Sequence, residues 1–151
     1  MSLWGGRMYK SKGFTLIELM VVIAVMAIIA MMAAPSFNAL LLKQNMNKSA
    51  RALASTLSEA RAKAALERRQ VTVVLNSSAE NTPSQLNWAP SGQAILKTTT
   101  PTQVVFKTTG LVDTTNEIPF VVCNKTGGNL SKTITITKMG TVQIVADGSC
   151  T

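Results

Sequence analysis

Lys10-Ser11-Lys12-Gly13-Phe14-Thr15-Leu16-Ile17-Glu18-Leu19-Met20 sets a basic leader and a glycine ahead of an apolar run that a single carboxylate interrupts. From Leu19 to Ala34 no side chain is charged, and the stretch from Phe14 to Phe37 supplies the roughly 20 helical residues that a bilayer requires. Glu18 is therefore expected inside an apolar, membrane-spanning helix. An ionised side chain there costs about 2.5–3.5 kcal/mol on insertion scales, so it calls for a partner and a function. No lysine or arginine occurs between Phe14 and Leu42 to supply that partner. Arg7, Lys10 and Lys12 hold the amino terminus in the cytoplasm by the positive-inside rule.

Two simpler readings of this segment compete. A secretory signal peptide needs small residues at its cleavage site. Here Ile29-Ala30-Met31-Met32-Ala33-Ala34-Pro35 puts methionines where small residues are wanted and Pro35 beside the last candidate bond. A plain signal anchor accounts for hydrophobicity and orientation, but it leaves Glu18 unexplained.

At 151 residues the chain supports one globular domain plus an anchor. Losing residues 1–13 would remove Arg7, Lys10 and Lys12 and lower the formal charge of +8 by three, to +5. A moderately basic domain favours DNA or an anionic surface as partner, and equally serves solubility or subunit packing. Cys123 and Cys150 lie beyond the apolar span, and an amino terminus held inside exports both. In an oxidising compartment a disulfide is the natural reading, two free buried thiols the alternative. Closing a loop of about 28 residues stabilises a fold by about 3.5 kcal/mol in the chain-entropy model. With no histidine and only two cysteines, neither a metal site nor any other cofactor is expected.

Helical character continues from Asn38 to Arg69, a region rich in Ala, Leu, Lys, Gln and Arg and free of Gly and Pro. A helix from Phe14 to Arg69 would span roughly 80 Å, with Pro35 removing one hydrogen bond and kinking it. Ala50, Leu53, Ala54, Leu57, Ala60 and Ala64 recur at spacings of three and four, which marks one apolar face. Its cover is expected from strands at Val71–Leu75, Val104–Phe106, Phe120–Cys123, Lys132–Lys138 and Thr141–Val145, with weaker candidates near Leu86 and Ile95. Thr133-Ile134-Thr135-Ile136-Thr137 and Val142-Gln143-Ile144 alternate as half-buried strands do. Lys138-Met139-Gly140-Thr141 reads as the hairpin between them, with Gly140 free to take a positive φ. Segments 76–83 and 90–101 read as loops. The expectation is an α+β fold in which one long amino-terminal helix packs on a small antiparallel sheet.

Gly13-Phe14-Thr15-Leu16-Ile17-Glu18 resembles the processing site of type IV prepilins, the class of type IV pilins and type II secretion pseudopilins. The resemblance implies a leader of residues 1–13, cleavage by a prepilin peptidase between Gly13 and Phe14, and N-methylation of Phe14. It implies a transmembrane and filament-core segment over 14–37 and a periplasmic pilin domain over 38–151. Glu18 would pair with the α-amino group of Phe14 on a neighbouring subunit and set axial register. Val104-Val105-Phe106-Lys107-Thr108-Thr109-Gly110 and Thr133 to Gly140 are similar to sheet motifs of the GspH/FimT/FimU group of minor pilins and pseudopilins. Within that group a FimU-like or FimT-like minor pilin is favoured over the secretion pseudopilin. The implied partners are other minor pilins, the major pilin, the peptidase, the bacterial inner membrane and the pilus assembly machinery. The mature protein would end on the pilus at the cell surface.

No catalytic constellation is visible. Histidine, the commonest general acid-base residue, is absent, and the seven acidic residues are scattered. Gly127-Gly128 reads as a turn rather than a phosphate cradle. Arg61, Lys63, Arg68 and Arg69 form the densest basic cluster and are the candidate DNA contacts. A solvated helix end explains them as well, because cations complement the carboxyl terminus of a helix. FimT-like proteins implicated in DNA uptake carry Gly-Arg-x-Arg near the carboxyl end. The matching stretch here, Gly140-Thr141-Val142-Gln143, has neither arginine, so DNA is not the favoured partner. Trp88, between Leu86 and Pro90, is expected in the core rather than as an exposed contact.

Overall fold

The computed structural model describes residues 13–150, so Arg7, Lys10, Lys12 and nearly all of the expected leader lie outside the described residues. Helix α1 runs from Leu16 to Glu67, and seven strands follow: β1 Val71–Leu75, β2 Gln85–Trp88, β3 Ile95–Leu96, β4 Gln103–Phe106, β5 Ile118–Cys123, β6 Ser131–Ile136 and β7 Val142–Gly148. Phe14 and Thr15 stay outside the helix at one end, Arg68 and Arg69 at the other. The chain divides into two compact units, one up to Asn38 and one from Ala39 onward.

The second unit has its own core. Ala50, Leu53, Leu57, Ala60 and Ala64 are fully buried with Ala54 packed against them, which is the face that the three-and-four spacing marks. Met46 extends that face by a further turn. Against it lie Val71 and Val73 of β1, Leu86 and Trp88 of β2, Val104 and Phe106 of β4, Phe120 and Val122 of β5, and Ile134 and Ile136 of β6. Trp88 is 4% exposed and belongs to this core.

The strands form two sheets, not the single antiparallel one expected. One has the order β2-β1-β4, the other β3-β5-β6-β7. The second is antiparallel throughout, whereas β1 and β2 pair in parallel with Leu75 beside Trp88. Parallel neighbours need a return connection rather than a hairpin. Here residues 76–84 make it, and β2 ties it down: the Asn87 N–H donates to Asn81 Oδ1 at 2.7 Å and Asn87 Nδ2 to the Glu80 carbonyl at 2.9 Å. The sheets are joined after β4, where Val112 bridges Phe106 and donates its N–H to the Lys138 carbonyl at 2.9 Å.

Strand β7 departs from its alternation. Ile144 is exposed although it pairs with the buried Ile134, because β7 is an edge strand. A buried polar knot fastens the loop before β3 to the helix. Ser49 Oγ donates to the Asn45 carbonyl at 2.8 Å and accepts the Ser91 N–H at 2.9 Å, so neither hydroxyl nor amide is left unpaired.

Candidate processing and assembly sites

The Gly13–Phe14 bond lies in exposed, non-helical backbone immediately before α1. Phe14 is 82% exposed, and among the described residues no atom outside its neighbours lies within 4 Å of the Cβ position of Gly13. Helix α1 leaves this bond in open backbone by starting two residues later, at Leu16. Thr15 and Glu18 set that start. The Glu18 N–H donates to Thr15 Oγ1 at 3.3 Å, and the Thr15 N–H reaches the Glu18 carboxylate at 3.5 Å. This is a capping box, in which two helix-end donors are satisfied reciprocally. A carboxylate in the first turn also faces the positive end of the helix dipole. The Thr-x-x-Glu spacing is the sequence signature of that box.

From Leu16 to Met32 the large apolar side chains are exposed on every side of the helix, with Leu16 at 78% and Met31 at 76%. A helix apolar all round has its cover outside itself, in a membrane or a protein interior. Among the described residues no single helix is long and apolar enough to cross a membrane, while Leu16–Met32 and Pro35–Glu67 together pass by length and composition. Pro35 lies within α1.

Cys123, at the end of β5, and Cys150, just beyond β7, form a disulfide with their Cα atoms 5.8 Å apart. The bridge ties the end of the described chain to the middle of the second sheet. Nearby, Lys132 of β6 donates to Asp147 of β7 at 2.8 Å and to Asn47 Oδ1 of α1 at 3.2 Å, and Lys43 of α1 stands 3.6 Å from the same carboxylate. The hydrogen bond from Lys132 and the charges of Lys132 and Lys43 hold the Asp147 carboxyl below its ordinary range.

The four basic residues that are neighbours in sequence do not form one surface. Two residues apart on a helix, Arg61 and Lys63 diverge by roughly 200° around the axis. Lys63 pairs with Glu59 at 2.9 Å, and Arg69 pairs with Glu67. Arg68 takes a left-handed φ of 50° just past the helix, where the chain turns towards β1. Among the described residues no group of three His, Cys, Asp or Glu side chains could hold a metal ion.

Residues 8–34 match the model of the prokaryotic N-terminal methylation motif. No curated protein matches the chain in sequence. Among solved structures, the chain is similar to the type IV minor pilin FimU of Pseudomonas aeruginosa in its P21 crystal form. The TM-score is 0.51 at 19% identity, over 69% of this chain and 90% of that one. The P65 form of the same protein aligns at a TM-score of 0.47 and 20% identity, over 66% and 92%. The chain thus joins a prokaryotic N-terminal methylation motif to the fold of a type IV pilin, similar to that of the minor pilin FimU.

Proposed function

We propose that the chain is a minor type IV pilin, a structural subunit rather than an enzyme. It is made as a precursor in the bacterial inner membrane with its amino terminus in the cytoplasm, cleaved by a prepilin peptidase after Gly13 and N-methylated on Phe14. With other minor pilins it forms a priming or tip complex from which the major pilin polymerises. The observation that carries this reading is the conjunction, in one chain, of the methylation motif over residues 8–34 with a FimU-like fold. The exposed junction before α1 suits cleavage, and the uncovered apolar helix suits a segment that serves first as anchor and then as filament core. Glu18 sets register by meeting the Phe14 amine of a neighbouring subunit, leaving the Thr15 N–H to do so.

Deletion of the gene tests the role. Surface pili should fall steeply and return on complementation. Normal piliation with a loss of protein secretion would assign the chain to a secretion pseudopilus instead.

A further inference from the structure

Lys107-Thr108-Thr109-Gly110-Leu111 and Thr137-Lys138-Met139-Gly140-Thr141 fold as twin turns. In each the glycine N–H donates to the first carbonyl, Gly110 to Lys107 at 2.8 Å and Gly140 to Thr137 at 2.9 Å. The first N–H in turn donates to the fifth carbonyl, Lys107 to Leu111 at 2.8 Å and Thr137 to Thr141 at 3.0 Å. Gly110 and Gly140 take φ values of 78° and 73°, a left-handed conformation that glycine adopts without steric cost. The turns converge on one side chain. A Cβ on Gly140 would lie 2.7 Å from the Gly110 carbonyl oxygen and 2.9 Å from Arg61 Cδ, and a Cβ on Gly110 would lie 3.4 Å from Arg61 Cγ. The aliphatic stem of Arg61 is thereby laid along the paired glycines.

The guanidinium at the end of that stem makes no hydrogen bond or ion pair among the described residues, whereas Lys63 and Arg69 answer carboxylates of their own chain. Beside it opens a groove of about 580 Å3 lined by Ser58, Arg61, Ala65, Thr109, Thr141 and Val142, with no carboxylate in its wall. We infer that this groove receives one Asp or Glu side chain of a neighbouring pilin subunit, with Arg61 forking onto its carboxylate. Charge complementarity selects an anion, and the number of cations selects its kind. Binding a nucleic-acid backbone requires several lysines or arginines in register, and the groove has one. A guanidinium held by its stem matches a single planar carboxylate through two parallel hydrogen bonds. Ala65 and Val142 offer apolar contact for the methylenes that lead to it. The source of the carboxylate rests on the minor-pilin reading, but the chemistry of the groove does not.

The test is an NMR titration of the full-length mature protein in detergent micelles with N-acetyl-glutamate methylamide, a single-carboxylate probe, followed at Arg61 Nε–H and the amides of Gly110, Gly140 and Thr141. Localised, saturating shifts in the millimolar range are expected, lost in Arg61→Gln and weakened in Arg61→Lys. The absence of shifts, or the same shifts from sodium chloride at equal ionic strength, would overturn the inference. Tighter binding of an oligothymidylate, with shifts spreading to Lys63, Arg68 and Arg69, would replace it with a nucleic-acid surface. The titration reads the groove whether or not the protein enters a pilus, so piliation of the deletion strain separately judges the minor-pilin reading.

Discussion

Thr15 and Glu18 cap α1 reciprocally, side chain to backbone in both directions, so the one acid of the apolar segment has a partner within its own chain. Glutamine at 18 can still accept the Thr15 N–H, whereas alanine cannot. Loss of such a cap costs about 1 kcal/mol, felt at the first turn. Glu18→Ala should fray the helix start, read as faster amide exchange at Leu16 to Leu19 in micelles, while Glu18→Gln should not. The alanine variant should enter pili poorly, and the glutamine variant nearly as poorly if Glu18 acts by charge, because only a carboxylate neutralises an ammonium on a neighbour whereas a glutamine carbonyl can still accept its hydrogen bond. Wild-type incorporation of the alanine variant would reduce Glu18 to a cap.

The disulfide closes a loop with a sequence separation of 27 that contains both β6 and β7. Replacing Cys123 and Cys150 together with serine should lower unfolding stability by about 3.5 kcal/mol in the chain-entropy model, measured by urea denaturation against the oxidised protein. Added reductant should lower the stability of the wild type and leave the double variant unchanged.

Asp147 makes stability depend on pH in one direction. Its folded carboxyl is held below its ordinary value by its hydrogen bond and charge pairing with Lys132, with Lys43 adding to the latter. A depressed carboxyl stabilises the fold above the unfolded pKa and loses that contribution as pH falls through the folded pKa. The stability difference between wild type and Asp147→Asn should thus be constant near neutrality and shrink below about pH 4. A difference that persists unchanged into acid would remove charge pairing as its cause.

Leu57 is fully buried on the core face of α1. Leu57→Ala should destabilise the unit from Ala39 onward by about 2–5 kcal/mol, through lost burial and the cavity left behind. Leu66→Ala, on an 83% exposed residue of the same helix, should change stability little. Equal effects in thermal melts would mean that the apolar face is misassigned.

How legible each part was in the sequence follows from the range of the forces involved. The core face of α1 could be read because burial against a sheet imposes the helical period on Ala50, Leu53, Leu57, Ala60 and Ala64. β1 and β6 could be read because one face is buried and alternation is enforced. The position of a strand within its sheet leaves no such mark. Ile144 has the pattern of a core residue and sits on the edge, and the connection between the parallel β1 and β2 is fastened by Asn87 of β2 holding Asn81 of the intervening loop. The methylation motif over residues 8–34 could be read because its glycine, aromatic and acid are local in sequence. Arg61 and Lys63 lie close in sequence but diverge around the axis of α1, so sequence proximity alone does not give them a shared surface. Arg61 stands out only once the turns ending in Gly110 and Gly140 are seen to meet on it.

As a minor pilin, the proposed precursor is processed at Gly13 and built into pili. Mass spectrometry of the amino-terminal peptide from sheared, purified pili tests it most directly. A peptide beginning at Phe14 and carrying one added methyl group on its amine is expected. An amino terminus upstream of Gly13 or within the apolar segment, or the absence of the protein from pili that still form, would contradict it.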